Sequence, residues 1–281
     1  MKSGFVSIVG KPNVGKSTLL NKIIGEKIAI TSRKPQTTRV NIIGILQGED
    51  AQIVFIDTPG MHEGKNKLDD RMKGEIRQAR EDGDVQLTVV SGQLTGDEMY
   101  GDVLVINKVD VMKKEEILQI IEENKDKFEE IFCVSARTGE GVADLVNYIK
   151  GKMPEGERFF GEDEITTQPE RVLMAEYIRE QAFRLLGDEV PFGVAVVVEK
   201  MKLNSKGILD IEANIYCERE SHKGIIIGKN GTKLKEIASK AREQGERFFG
   251  KKIFLQVWVK VASGWRDDER MINKLTTNSE Q

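Results

Sequence analysis

The first half of the chain alternates short apolar runs with stretches of helical period. Phe5–Val9 is apolar and leads into a glycine-rich turn, after which Ser17–Ile24 has the spacing of a helix. Ile42–Gln47 and Gln52–Ile56 read as neighbouring strands joined by Gly48-Glu49-Asp50. A polar helix is predicted over 69–81, and Val85–Val90 and Val103–Ile106 have the unbroken apolarity of strands buried on both faces. An amphipathic helix over 114–128, a strand over 131–134 and a closing helix over 142–150 complete the pattern. Strands alternating with helices predict a mostly parallel sheet with helices on both faces.

The pattern then dissolves. From Gly151 to Gln168 the chain carries Pro154, glycines and mixed charge without a period, which marks a linker at 153–168. A helix is predicted over 170–186, with apolar residues at 174, 175, 178, 182, 185 and 186. Strands follow over Val194–Met201 and Ile208–Cys217. Lys223–Ile227 leads into a glycine-bounded loop, and a helix is expected over 232–247, a strand over 253–261 and a short charged helix from Arg266. The expected organisation is an α/β domain over 1–152, the linker, and an α+β domain over 169–281.

Composition narrows this picture. Hydrophobic residues make up 39% and charged residues 32%, which suits a folded globular chain rather than a disordered one. No run approaches the ~20 apolar residues of a membrane span. Met1-Lys2-Ser3-Gly4 runs directly into a strand-like segment, so no signal peptide is expected. Cys133 and Cys217 are far apart in apolar surroundings, which points to reduced thiols and a cytoplasmic home. The net charge of −3 argues against a generic nucleic-acid binder, but its distribution is uneven. Between Lys223 and Lys252 nine Lys/Arg face three Glu, a local surplus of six positive charges.

The candidate chemistry begins at Gly10-Lys11-Pro12-Asn13-Val14-Gly15-Lys16-Ser17, which fits the phosphate-loop pattern between a strand and a helix. Backbone N–H groups of Asn13, Val14 and Gly15 and the helix start at Lys16, Ser17 and Thr18 would surround phosphates. Lys16 would reach the β and γ phosphates, and the Ser17 hydroxyl would ligate Mg²⁺. Asp57-Thr58-Pro59-Gly60 follows a strand. Asp57 would hold Mg²⁺ through water, and Gly60 would offer its N–H to the γ-phosphate. In the loop 32–41, Thr38 is the expected further Mg²⁺ ligand. Lys16, Thr38 and Gly60 are therefore the candidate catalytic residues, and Ser17, Thr38 and Asp57 the candidate metal ligands.

Asn107-Lys108-Val109-Asp110 ends an apolar run. The Asp110 carboxylate can accept from guanine N1–H and the 2-amino group together, a donor pair that adenine lacks. Asn107 would bond the base edge and brace the phosphate loop, and the Lys108 stem would cover the purine. Ser135-Ala136-Arg137 follows the next strand, with the Ala136 N–H in reach of guanine O6. Each short motif alone is an ordinary polar turn; their order and their positions after successive strands make the signal. The position after Gly60 holds Met61, then His62. A thioether cannot orient water, so intrinsic turnover at or below about 10⁻³ s⁻¹ is expected. His62 is read as an exposed loop residue, with general-base chemistry as the alternative.

In the second half, Gly224-Ile225-Ile226-Ile227-Gly228-Lys229-Asn230-Gly231 carries a Gly-x-x-Gly loop beside a basic helix. Gly224, Ile227, Gly228, Lys229, Asn230, Gly231, Lys233 and Lys235 are the candidate RNA contacts, and the isoleucines are expected to anchor the helices. The order helix, two strands, two helices, strand matches a type II KH domain. Trp265 either stacks on a base or caps the core, with core packing favoured.

A GTPase domain followed by a type II KH domain resembles the Era family over nearly the whole chain. The segments 30–39, Asp57–Gly60 and 258–269 are especially similar. The resemblance implies an α/β P-loop GTPase fold joined to an α+β KH domain, with GTP/GDP and Mg²⁺ as cofactors. It implies binding of the 3′ end of small-subunit ribosomal RNA and a role in small-subunit maturation. It further implies a cytoplasmic monomer and leaves room for peripheral association with the inner face of the membrane. One departure stands out. The eleven residues 91–101 replace a loop, helix and lead-in that the family has there, barely enough for a parallel crossover. Two other classes stay open: an RNA-binding scaffold whose nucleotide only stabilises the fold, and a GTPase whose second half binds protein.

Overall fold

The computed structural model describes residues 1–32, 34–60, 66–93 and 101–277. Met61, His62 and most of the short crossover lie outside this set. Among the described residues the chain divides into two compact units, one built from 1–29, 38–60 and 72–167, the other from 30–37, 66–71 and 168–277.

The first unit is a six-stranded sheet of order β2-β3-β1-β4-β5-β6. Its strands are β1 (Lys2–Val9), β2 (Ile42–Gln47), β3 (Ala51–Asp57), β4 (Val85–Val90), β5 (Val103–Asn107) and β6 (Glu130–Val134). All neighbours are parallel except the edge pair β2–β3. Every residue of β3 and β5 is buried, the result of covering both faces of a parallel sheet. The covering helices are α1 (Lys16–Ile24), α2 (Lys67–Asp82), α3 (Lys114–Asn124) and α4 (Val142–Lys152).

Helix α3 ends four residues before the predicted end at 128. Phe128 is buried beside Val90, Leu104, Ile106 and Ile120, but a turn delivers it, closed by Lys127 N–H donating to the Asn124 carbonyl at 3.0 Å. The apolar spacing at 128 therefore reports burial rather than helix.

The stretch expected to be a linker is strapped along the first unit. Ser3 N–H donates to Pro154 O at 3.0 Å, and Ile45 N–H on the edge strand donates to Ile165 O at 2.9 Å. Gln52, fully buried, accepts from Phe159 N–H (2.7 Å) and Phe160 N–H (3.0 Å) and donates to Phe160 O (2.8 Å). The strap thereby pairs backbone groups of an edge strand that would otherwise be open to other chains.

The second unit runs α5 (Glu170–Leu185), β7 (Ala195–Leu203), β8 (Leu209–Cys217), α6 (Glu220–Ile227), α7 (Thr232–Phe249), β9 (Ile253–Val261) and α8 (Glu269–Thr277). Strands β7 and β8 are antiparallel, and β8 and β9 parallel. Its core joins Met174, Tyr177 and Ile178 of α5 to Ile211 and Ile215 of β8 and to Ile237 and Ala241 of α7. Trp265 is fully buried and its indole N–H donates to Gly193 O at 3.0 Å, so it serves the core. Both cysteines are free thiols; burial is the main force raising their pKa, and Cys217 is fully buried. Among the described residues no helix is long and apolar enough to cross a membrane.

Candidate functional site

The loops after β1, β3, β5 and β6 lie at one edge of the sheet because those strands are parallel, the edge where ligands of open α/β sheets bind. After β1 the chain turns through Gly15, whose φ of +103° is left-handed and whose Cβ, if present, would lie 2.3 Å from Asn107 Nδ2. Helix α1 starts at Lys16 with no side-chain cap, which leaves its first-turn N–H groups for an anion. Val14 is buried, Thr18 half-buried and Asn13 exposed.

Lys16 is only 7% exposed. Its ammonium donates to Gly10 O at 2.8 Å and Lys11 O at 3.1 Å. Burial pushes its pKa down to about 8, against the pull of the Asp57 charge. Asp57 at the end of β3 is fully buried. Desolvation pushes its pKa up to about 6, opposed by Lys16 and by the Ser17 and Thr38 hydroxyls. Ser17 Oγ donates to Asp57 Oδ2 at 2.6 Å and lies 3.0 Å from Thr38 Oγ1. Asp57 Oδ1 has no partner.

Two hydroxyls and a buried carboxylate with an orphaned oxygen form a hard-oxygen set suited to Mg²⁺. Among the described residues no group of three or more His, Cys, Asp or Glu forms another candidate metal site. The two neighbouring threonines of the loop differ in partner: the Thr37 hydroxyl donates to Lys34 O at 2.8 Å, while Thr38 Oγ1 lies beside Ser17 Oγ. Gly60 presses on the phosphate loop so closely that a Cβ there would lie 2.8 Å from Pro12 Cα.

On the base side, Asn107 is 1% exposed and donates to Val14 O at 2.8 Å, bracing the phosphate loop as expected. Its Oδ1 accepts from Lys108 N–H at 2.8 Å and Ala136 N–H at 3.0 Å. The Ala136 N–H is thus already engaged, and a base carbonyl would have to share it, which the sequence did not reveal. Lys108 donates to Asn13 O, laying its stem along the loop, and burial lowers its pKa. Asp110 accepts from the Ser135 hydroxyl at 2.7 Å on Oδ1 and from Arg137 on Oδ2. The serine hydrogen bond, with Arg137 behind it, holds the carboxyl below the usual carboxylate range.

In the second unit, α6 runs into Gly228, whose φ of +72° is left-handed and whose Cβ would lie 2.7 Å from Lys233 Cβ. Only glycine fits there. Asn230 also has positive φ, +52°, and stands exposed with Lys229 in a one-turn 3-10 helix, Lys229–Gly231. No atom approaches within 4 Å of where a Cβ on Gly224 or Gly231 would lie. Lys235 is exposed; Lys233 is half-buried and 4.0 Å from Glu236, which Lys240 also contacts at 2.9 Å. The isoleucines split. Ile226 is fully buried, Ile227 packs at the core margin, and Ile225 is 49% exposed rather than an anchor. A helix has one inward face, and three consecutive residues cannot share it.

The chain matches the family model described as 50S ribosome-binding GTPase over residues 5–134, and the KH domain model over 189–266. It is 47% identical to GTPase Era of Caldanaerobacter subterraneus subsp. tengcongensis, covering 98% of this chain and 97% of that one. It is 48% identical to GTPase Era of Clostridioides difficile, with 99% of each chain covered. Among solved structures it is similar to a variant of Aquifex aeolicus Era bound to GDP·AlF4⁻, with TM-score 0.94, 37% identity and 100% coverage of both chains. It is equally similar to Era in complex with MgGDPNP and nucleotides 1506–1542 of 16S ribosomal RNA, with TM-score 0.93, 38% identity and 100% coverage of both.

Proposed function

This chain belongs to the GTPase Era family, and from that premise we propose that it is a GTP-hydrolysing switch that binds the 3′ end of small-subunit ribosomal RNA and assists small-subunit maturation. The observation that carries the reading is the meeting of Lys16, Ser17, Thr38 and Asp57 within one buried cluster at the sheet edge. That cluster has the charge pattern a metal-bound triphosphate needs.

In this reading the N–H groups from Asn13 through Thr18 bind the α and β phosphates. The Lys16 ammonium leaves the Gly10 and Lys11 carbonyls for the β and γ phosphates, where it stabilises charge as the γ-phosphoryl transfers to water. Ser17, Thr38 and Asp57 would hold Mg²⁺, which would supply positive charge against the phosphates. Gly60, against Pro12, directs its N–H to the γ-phosphate. Asp110 selects guanine, Asn107 and Lys108 support the base, and the turn 135–137 closes over it. Turnover is slow without partners, because Met61 offers no hydrogen-bonding group for water.

The Gly-x-x-Gly loop gives close backbone approach, with Lys229 and Lys235 supplying charge and Ile227, packed at the core margin, fixing the loop's start. The related structure bound to 16S RNA supports the RNA assignment. The same reading places the protein in the cytoplasm as a monomer.

The test is paired. Phosphate release should require GTP and Mg²⁺, and filter binding should favour the ribosomal 3′-end sequence over a scrambled one. Absence of GTP hydrolysis would remove the enzyme; equal RNA retention would remove the sequence preference.

A further inference from the structure

The turn after β6 contributes more to base recognition than a backbone N–H. Two of its side chains, two residues apart, grip the two oxygens of the same carboxylate. Ser135 Oγ accepts from Thr138 N–H at 3.2 Å and is thereby oriented to donate to Asp110 Oδ1 at 2.7 Å. Arg137 donates its guanidinium NH2 to Asp110 Oδ2. The turn beneath them is fixed, because Ser135 N–H donates to Glu140 O at 2.9 Å and Gly139 N–H to Ser135 O at 2.7 Å. The Asp110 side chain is 12% exposed and that of Arg137 72% exposed.

A carboxylate has about four acceptor positions, two on each oxygen. Ser135 takes one on Oδ1 and Arg137 one on Oδ2, and the residue's own backbone N–H also bears on the carboxylate, so an approaching base meets two oxygens that are each already held from one side. Guanine needs that arrangement: two parallel donors, N1–H and the 2-amino group, meeting two oxygens in one plane. With Ser135 alone, the carboxyl could pivot about its Oδ1 bond and carry Oδ2 out of line. A planar guanidinium on Oδ2 removes that rotation, in the way that bidentate recognition depends on fixed planes.

We propose that Arg137 is a positioning residue for guanine specificity, holding the Asp110 carboxylate in the plane that accepts both donors of the base. The inference rests on the nucleotide reading above and names a determinant within it. Arg137 acts through Asp110, not on phosphate, so its effect belongs to the second donor of the base.

The test compares GDP with inosine diphosphate, which keeps N1–H and lacks the 2-amino group, on full-length wild type, Arg137→Ala and Arg137→Lys. Arg137→Ala should weaken GDP about five-fold, as expected for an exposed ion pair, and leave inosine diphosphate within about two-fold. The ratio between the two nucleotides should shrink accordingly, and Arg137→Lys, which keeps the charge without the plane, should restore only a minor part of it. An unchanged ratio in Arg137→Ala, or tighter GDP binding, overturns the proposal. A wild type that binds neither nucleotide overturns the nucleotide reading itself, a separate outcome.

Discussion

The two candidate sites solve opposite physical problems. At the phosphate loop a lysine and an aspartate are both withdrawn from water, and each has its pKa pushed toward neutrality by burial. At the Gly-x-x-Gly loop the backbone and Lys229 stand in solvent, and a Cβ on Gly224 or Gly231 would meet nothing within 4 Å. The first site is assembled before its ligand arrives and carries desolvation cost until phosphate and metal relieve it. The second costs little in the free protein and relies on exposed charge and close backbone approach. A buried site gives affinity that salt barely screens; an exposed one gives affinity that salt erodes.

Removing the Lys16 charge should break the buried site most severely. Lys16→Ala should lower GTP turnover by about 10³-fold, the scale of losing one preorganised charge-stabilising group, while RNA binding measured without nucleotide is unchanged. Steady-state phosphate release and filter binding on the same preparation would check it.

Asp57 gives a test with a sign. Its folded pKa, about 6, lies above the ordinary 3.8 of an aspartate, so between these values the folded state holds a proton that the unfolded chain has released. For nucleotide-free protein, stability from this group is therefore greatest in acid and falls as pH rises through 4 to 6, by about 3 kcal/mol in all. Lys16, with its pKa lowered to about 8, adds stability in the other direction, as pH rises from 8 to 10.5. Asp57→Asn should flatten the acid slope in pH-dependent denaturant melts and raise nucleotide-free stability at pH 7, yet abolish the Mg²⁺ dependence of GDP binding. A mutant less stable at pH 7 than wild type would contradict the desolvation argument.

Much of this contrast was legible in the sequence, for reasons that differ by site. The nucleotide loops follow the carboxyl ends of parallel strands, and β5 announces itself through the unbroken apolar run Val103–Ile106. Motif and strand end therefore coincide on the page before any folding. Thr38, expected from its loop to be a further Mg²⁺ ligand, lies 3.0 Å from Ser17 Oγ. What spacing could not carry was competition for hydrogen bonds: Ala136 N–H goes to Asn107, and Arg137 goes to Asp110. It also could not tell burial by a helix from burial by a turn, hence the overlong α3, or foresee that the polar stretch after Pro154 lies along an edge strand. The run Ile225-Ile226-Ile227 looked uniformly apolar, and only the helix phase distinguishes its members.

Smaller effects sharpen the exposed side of the comparison. Changing Lys229 and Asn230 together to Asp should weaken RNA binding about ten-fold or more and reduce the salt slope by about one unit per lost phosphate contact, with GDP affinity intact. A protein-binding second half would leave RNA retention indifferent to this change. In the preceding helix α6, Ile226→Val should cost about 1 kcal/mol of stability in denaturant melts, whereas Ile225→Val should stay within about 0.5 kcal/mol. Equal costs would mean that the helix phase is wrong.

The whole account turns on a preassembled pocket for a magnesium-bound guanine nucleotide. Calorimetric titration of folded, nucleotide-stripped protein with GDP and with ADP measures it directly. Saturable Mg²⁺-sensitive heat with GDP and none with ADP is the expected result. No heat with GDP, or indistinguishable heats with the two nucleotides, would contradict it.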